Sequence, residues 1–124
     1  MNPISEQLNI GTIGELLVQL RLLQFEVQAA APLKDTGNDL IAIRGNTFRA
    51  IQVKSTRNGR FNKNSLPDKY HILAVVHLVG ENDKIFLDKS KIFLIPKDEV
   101  ANIGNNINDL NKFKLTTKHI EKLF

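Results

Sequence analysis

The stretch DTGNDLIAIRGNTFRAIQVKST, Asp35 to Thr56, holds two β-prone runs separated by a glycine–asparagine pair. Each run carries polar residues where a core strand would have apolar ones: Asp39 opens the first, and Gln52 and Lys54 come near the end of the second. Gly45-Asn46 suits a two-residue hairpin turn, because glycine tolerates positive φ at the first central position. With that turn, Arg44 faces Thr47, and stepping outward places Asp39 directly opposite Gln52. Opposed residues share a sheet face with Cβ atoms about 5 Å apart, and the strand period of two puts Lys54 on that face as well. One pairing thus gathers an acid, an amide and an amine at one end of the hairpin. Ile41, Ile43, Phe48 and Ala50 fall on the same face nearer the turn, the pattern of a site let into the edge of a core.

Two readings of this polar end stand side by side. Hairpin ends are often polar because they meet solvent. Alternatively, a carboxylate beside an amide or carbonyl oxygen suits a hard cation such as Mg²⁺, and a neighbouring lysine can hold a water or stabilise charge on a phosphate.

Working outward, Ser5 to Gln24 repeats leucine and isoleucine at three- and four-residue steps, which predicts a helix. Gly11 and Gly14 weaken its early turns, and Thr12 to Glu15 could form a capping box that starts the regular helix late. Phe25 to Ala31 reads as a strand stopped by Pro32. After the hairpin, TRNGRFNKNSLPDK is an aperiodic loop rich in asparagine and basic residues. His71 to Val79 is a nearly continuous apolar run, as in a strand buried on both faces. Lys84 to Leu87 and Lys91 to Pro96 read as short strands. A short helix follows Pro96, then an asparagine-rich loop, and TTKHIEKLF is a closing helix. The expectation is one α/β domain over residues 1–124, with an N-terminal helix, a meandering sheet and small C-terminal helices.

The bulk properties narrow the chemistry. The 124 residues are 42% hydrophobic and 24% charged, which suits one folded domain rather than a disordered chain. The absence of cysteine removes disulfides, thiolate catalysis and cysteine-bound zinc. His71, His77 and His119 are the only imidazoles and form no zinc-hydrolase pattern. The first residues do not read as a signal peptide, and no apolar run reaches the length of a membrane span, so a cytoplasmic location is expected. A net charge of +4 is compatible with a polyanionic partner.

With these residues in place, the sequence resembles the PD-(D/E)XK nuclease superfamily. It is similar to the small members of this restriction-endonuclease-like fold, the Holliday junction resolvases and the homing or repair nucleases. The resemblance runs from about Ile10 to Val79 and rests on GELLVQLRLLQFEV, GNDLIAI, AIQVKS and the apolar strand that follows. It implies a central mixed sheet with the N-terminal helix packed on it, and a Mg²⁺-dependent endonuclease acting on DNA, with Mn²⁺ able to substitute. Glu15, Asp39, Gln52 and Lys54 would be the catalytic residues, with the backbone carbonyl of Val53 a further metal ligand beside Asp39, Gln52 and Glu15. Two departures stand out: Asn38 occupies the place of the motif's proline, and Gln52 that of its second acid, so the site loses one negative charge. The rivals are a catalytically inactive nucleic-acid-binding module on the same scaffold, and a protein-interaction domain that uses hydrophobic strands as a subunit interface.

Each singled-out residue also has a plainer explanation. Glu15 can be a dipole-favoured acid near a helix start, and Lys54 a snorkelling strand-end lysine. Gln19, one turn after Glu15, is a candidate phosphate contact or an exposed polar residue. Ser55, Thr56, Arg57, Arg60 and Lys63 lie on or beside a basic loop able to position phosphates, or simply solvated. Phe61 can tuck into the core or stack on a base. His77 reads as a core histidine, and Asp35 is a weaker acid candidate than Asp39. A chain with one site would cut both strands of a duplex as a homodimer.

Overall fold

The hairpin forms in the expected register. In a computed structural model that describes residues 6–33 and 37–124, the chain begins with α1 (Glu6–Leu23) and β1 (Gln28–Ala30). The hairpin strands β2 (Leu40–Arg44) and β3 (Thr47–Thr56) follow. Arg44 pairs with Thr47 and Leu40 with Ile51, and Gly45 has φ +59°, as a turn with positive φ at its first central residue requires.

β3 then pairs in parallel with β4 (Ile72–His77). A parallel neighbour requires a crossover of a dozen or more residues, and the basic loop 57–71 supplies it. This corrects the expectation of a simple meander. A small hairpin, β5 (Gly80–Glu81) with β6 (Lys84–Ile85), leads into β7 (Lys91–Pro96), which lies antiparallel to β4. The five-stranded sheet has the order β1-β2-β3-β4-β7. Lys97–Asn102 and the asparagine-rich segment after it form short 3₁₀ turns, and α2 (Thr117–Leu123) closes the chain. Thr116 caps α2, its Oγ1 accepting from the His119 N–H at 3.1 Å.

The sheet separates two apolar layers. On one face α1 and α2 bury Leu17, Val18, Leu22 and Ile120 against Leu40, Ala42, Ile51, Ala74, Val76 and Leu94. On the other, the crossover and the 3₁₀ turns bury Phe61, Tyr70, Val100, Leu110 and Phe113 against Leu73, Val75, Phe93 and Ile95. β4 supplies both layers by alternation, which is why its sequence is apolar throughout.

Three local expectations change. The helix runs unbroken from Glu6, with Gly11 and Gly14 inside it, so Thr12 to Glu15 is not its start. The strand expected over Phe25 to Ala31 shortens to Gln28–Ala30, because the helix ends in a paired turn. There the Val27 N–H reaches the Leu22 carbonyl and the Glu26 N–H the Leu23 carbonyl, with Glu26 at φ +64°. Finally, the apolar face of the hairpin lies on the other parity. Leu40, Ala42 and Ile51 enter the core, whereas Ile43 and Phe48 are exposed and Ile41 and Ala50 half-buried. The second layer packs on β4 and β7 and leaves the hairpin end of that face open.

Candidate active site

β2 begins at Leu40, opposite Ile51, while β3 runs on to Thr56 with β4 along its other edge. The strands fork here, and Asp39 sits in the fork. Its backbone N–H donates to the Ile51 carbonyl at 3.2 Å, and its Oδ2 accepts from the Val53 N–H at 2.7 Å. Along a strand, successive residues turn both backbone groups to alternate edges. Ala50 bonds toward β4, its N–H donating to His71 Nδ1 and its carbonyl accepting from the His71 N–H. Ile51 and Val53 therefore turn theirs toward β2, so the Val53 carbonyl opens on the edge that Asp39 occupies.

Gln52 and Lys54 share the opposite parity from Ile51, which packs against α1, and so lie on the other face. Gln52 is only 7% exposed. Its Nε2 donates to the Gly37 carbonyl and, at 2.9 Å, to Asn38 Oδ1. Both contacts use the nitrogen end, which leaves Oε1 as the acceptor end of the amide. A glutamine, not a glutamate, is what two facing acceptors require. Lys54 Nζ donates to Ser65 Oγ at 2.9 Å, which draws the ammonium toward the crossover loop.

α1 reaches the fork from its own side of the sheet. A Cβ built on Gly14 would lie 1.7 Å from Ser55 Oγ and 2.9 Å from Ser55 Cβ, so the helix can cross β3 this closely only with glycine there. The next residue, Glu15, is delivered to the rim of the fork. Its carboxyl is held above the usual glutamate range, first by burial and second by the negative charge of Asp39. Glu15, Val53 and Ser55 line an open cleft of about 370 Å³, with Ile10, Gly11, Thr56, Arg57 and Asn58 forming the rest of its wall.

In fold, the chain is similar to a bacterial homing endonuclease, I-Ssp6803I. The match has a TM-score of 0.57 and covers 82% of this chain and 72% of that one, at 20% sequence identity. No family model matches the sequence, and neither does any curated protein. The fold, with its N-terminal helix, mixed sheet and small C-terminal helix, is thereby similar to that of an endonuclease.

The residues expected at the site divide into two groups. Asp39, Gln52 and Val53 come together at the fork, with Glu15 near Asp39 from the helix, whereas Lys54, on the sheet face of Gln52, turns its ammonium to Ser65. Among the described residues no three of His, Asp and Glu cluster as a metal-binding set. The oxygens at hand are two carboxylates, an amide and a backbone carbonyl.

The residues expected to contact nucleic acid are dispersed and partly engaged. Ser55 Oγ is buried against α1 and has no hydrogen-bond partner. Thr56 is buried and orders the next turn, its Oγ1 donating to Asn58 Oδ1 and accepting from the Gly59 N–H. Lys63 Nζ is committed to the carbonyls of Val100 and Ile103. Arg57 Nη1 donates to the Asn82 carbonyl at 2.8 Å beside the cleft. Arg60 is exposed, and Gln19 is half-buried on α1. Phe61 takes the core option, and half-buried His77 meets the Arg57 carbonyl at 3.2 Å. Asp35 lies outside the described residues.

Sequence reasoning missed three supports: Asn38, which cradles Gln52; Ser65, which holds Lys54; and Gly14, which admits Glu15. Asn38 had a signal, since an amide in place of the motif's proline offers a side-chain partner to whatever lies opposite. Ser65 had none, being eleven residues beyond Lys54 in a loop without periodicity.

Proposed function

We propose that this chain is a metal-dependent endonuclease of the PD-(D/E)XK type, hydrolysing phosphodiester bonds in DNA in the cytoplasm. The observation that carries the reading is the fork itself, where the Asp39 carboxylate caps the Val53 N–H and the Val53 carbonyl opens on the same edge. The donor set fits Mg²⁺, with Mn²⁺ as substitute, because every candidate ligand is a hard oxygen. The upward shift of Glu15, due first to burial and second to the negative charge of Asp39, supports the fit, since a cation beside it would favour its ionised form.

Asp39, Gln52 Oε1 and the Val53 carbonyl would hold the metal, with Glu15 completing its surroundings from α1. When bound, Mg²⁺ would offset negative charge that builds on the phosphate oxygens. Lys54 stands on the sheet face of Gln52, its ammonium free to turn from the Ser65 hydroxyl toward a water or a phosphate oxygen. Arg57 lines the cleft, and Arg57 with exposed Arg60 would supply positive charge for a phosphate backbone.

The test is cutting of duplex, junction and single-stranded DNA with Mg²⁺ or Mn²⁺. Wild type cuts at least one of these, and Lys54→Ala, which removes an exposed hydrogen bond to Ser65, lowers the rate roughly 10²–10³-fold while remaining folded. No cutting of any substrate by wild type overturns the proposal. The lack of a three-residue acidic cluster among the described residues favours one other reading, an inert DNA-binding module. Its mark is DNA affinity that survives both chelator and Asp39→Ala.

A further inference from the structure

Gly11 has no local reason to be glycine. It stands inside α1 with helical backbone, where glycine is the least favourable residue after proline. Neither usual reason for glycine applies. Its φ is not positive, and a Cβ built on it meets no atom within 4 Å beyond its chain neighbours and the helix's own backbone. Gly14 is the opposite case, since a Cβ there would lie 1.7 Å from Ser55 Oγ.

At about 3.6 residues per turn, positions 11, 14, 15 and 18 share the side of α1 that faces the sheet. Val18 is fully buried on that side, and Gly14 is pressed against β3. One turn earlier the helix stands clear of the sheet. The gap is the cleft of about 370 Å³, which Gly11 lines together with Glu15, Val53, Arg57 and Asn58. Gly14 meets Ser55, and Glu15 reaches the fork beside Val53, so α1 and β3 run in opposite senses here. Gly11, about 6 Å back along the helix from Glu15, therefore lies toward Arg57. Arg57 Nη1 donates to the Asn82 carbonyl at 2.8 Å, which steadies the guanidinium beside the cleft and leaves its other N–H groups for an anion. The cleft thus has a cation-seeking end at the fork and a cationic end at Arg57, with a bare turn of helix between them.

We propose that Gly11 is a substrate-contact position: the DNA strand being cut lies in this cleft, with one phosphate at the fork, the next toward Arg57, and the sugar between them packed on the bare helix at Gly11. Glycine permits that approach because no Cβ stands in the way. The cleft is near the lower end of the roughly 300–1,000 Å³ of ligand pockets, room for a nucleotide of one strand at a time. This role for Gly11 rests on the proposed function of the fork and deepens it, by naming the surface that seats the strand.

The experiment pairs urea unfolding with DNA binding and cutting by the full chain. Wild type is compared with Gly11→Ala, Gly11→Leu and a control, Thr12→Leu, which changes an exposed residue of the same turn. Binding is read by fluorescence anisotropy on labelled duplex, junction and single-stranded DNA in EDTA, and cutting on the same DNAs with Mg²⁺. Gly11→Ala is expected to unfold at a higher urea midpoint than wild type, since its methyl favours helix and meets nothing. It is also expected to handle DNA worse, and Gly11→Leu worse still. For Gly11→Leu, affinity falls roughly tenfold and kcat/KM roughly 10²-fold, the cost of a strand held about 1 Å from its place. Thr12→Leu matches wild type in both.

A gain in stability joined to a loss of function is the mark that a packing glycine would not leave. Gly11→Ala that unfolds no later than wild type overturns the proposal. So does Gly11→Leu that binds and cuts as wild type does, which leaves the nuclease function intact. Wild type that binds DNA without cutting overturns the nuclease function alone, and the affinity of Gly11→Leu then decides the role of Gly11 by itself. Wild type that neither binds nor cuts any of the three DNAs overturns both.

Discussion

Replacing Gln52 with glutamate would restore the acid that the PD-(D/E)XK motif usually has, yet the structure predicts damage. The Gln52 side chain is 7% exposed and donates through one nitrogen to the Gly37 carbonyl and Asn38 Oδ1. An ionised carboxylate has no donor. It forfeits two hydrogen bonds worth about 0.5–1.5 kcal/mol each and sets a buried charge against two oxygens, for roughly 1–3 kcal/mol more. Rotation of the Asn38 amide can return one contact, so the expected loss is about 2–4 kcal/mol, or roughly 10 °C in Tm for a chain of this size. The assay is urea unfolding of wild type and Gln52→Glu at pH 7 in EDTA, repeated with Mg²⁺. The deficit should shrink with Mg²⁺, which binds the folded form of the variant, and shrink again as pH falls and the introduced carboxyl regains a proton to donate. A Gln52→Glu protein as stable as wild type in EDTA would refute the account of why glutamine stands here.

Other outcomes follow from the same geometry. Gly14→Ala should destabilise by about 1–3 kcal/mol, because the added methyl meets Ser55 and α1 must shift; pairing it with Ser55→Gly should recover part of the loss in the same unfolding assay. Ser55→Ala alone should be neutral or stabilising by about 1 kcal/mol, since it removes a buried hydroxyl with no partner. The raised Glu15 pKa sets a pH signature. Its stabilising contribution is present below the ordinary glutamate range, where the group is protonated, and is lost as pH rises through the raised value. Divalent-ion affinity should run the opposite way, weakening as pH falls through that value. Titrations of Mg²⁺-dependent stability at several pH values should show both trends in wild type and neither in Glu15→Gln.

The hairpin was legible because its turn chemistry and period of two leave one register, from Arg44 opposite Thr47 to Leu40 opposite Ile51; the fork was not, and it takes Asp39 out of the ladder to the Ile51 carbonyl and the Val53 N–H. The face was not legible. Ile41, Ile43 and Phe48 are as apolar as Leu40, Ala42 and Ile51, and only the placement of the two covering layers decides which set is buried. Gly14 read as a weak helix residue because its reason for being glycine is Ser55, forty-one residues on. The parallel pairing of β3 and β4 was equally hidden, since a crossover without a helix looks like any loop. At the site, residue types and spacing pointed to Asp39, Gln52 and Lys54. The local sequence could not say that Lys63 and Thr56 are occupied by the protein's own carbonyls, amides and turns.

The most direct measurement is a crystal structure of the chain grown with Mn²⁺ and read at the manganese absorption edge. The account predicts an ion bonded to the Asp39 carboxylate and the Val53 carbonyl, with Gln52 Oε1 turned toward it and Glu15 on its far side. An ion bound elsewhere, or a fork that takes none at millimolar Mn²⁺, would contradict it.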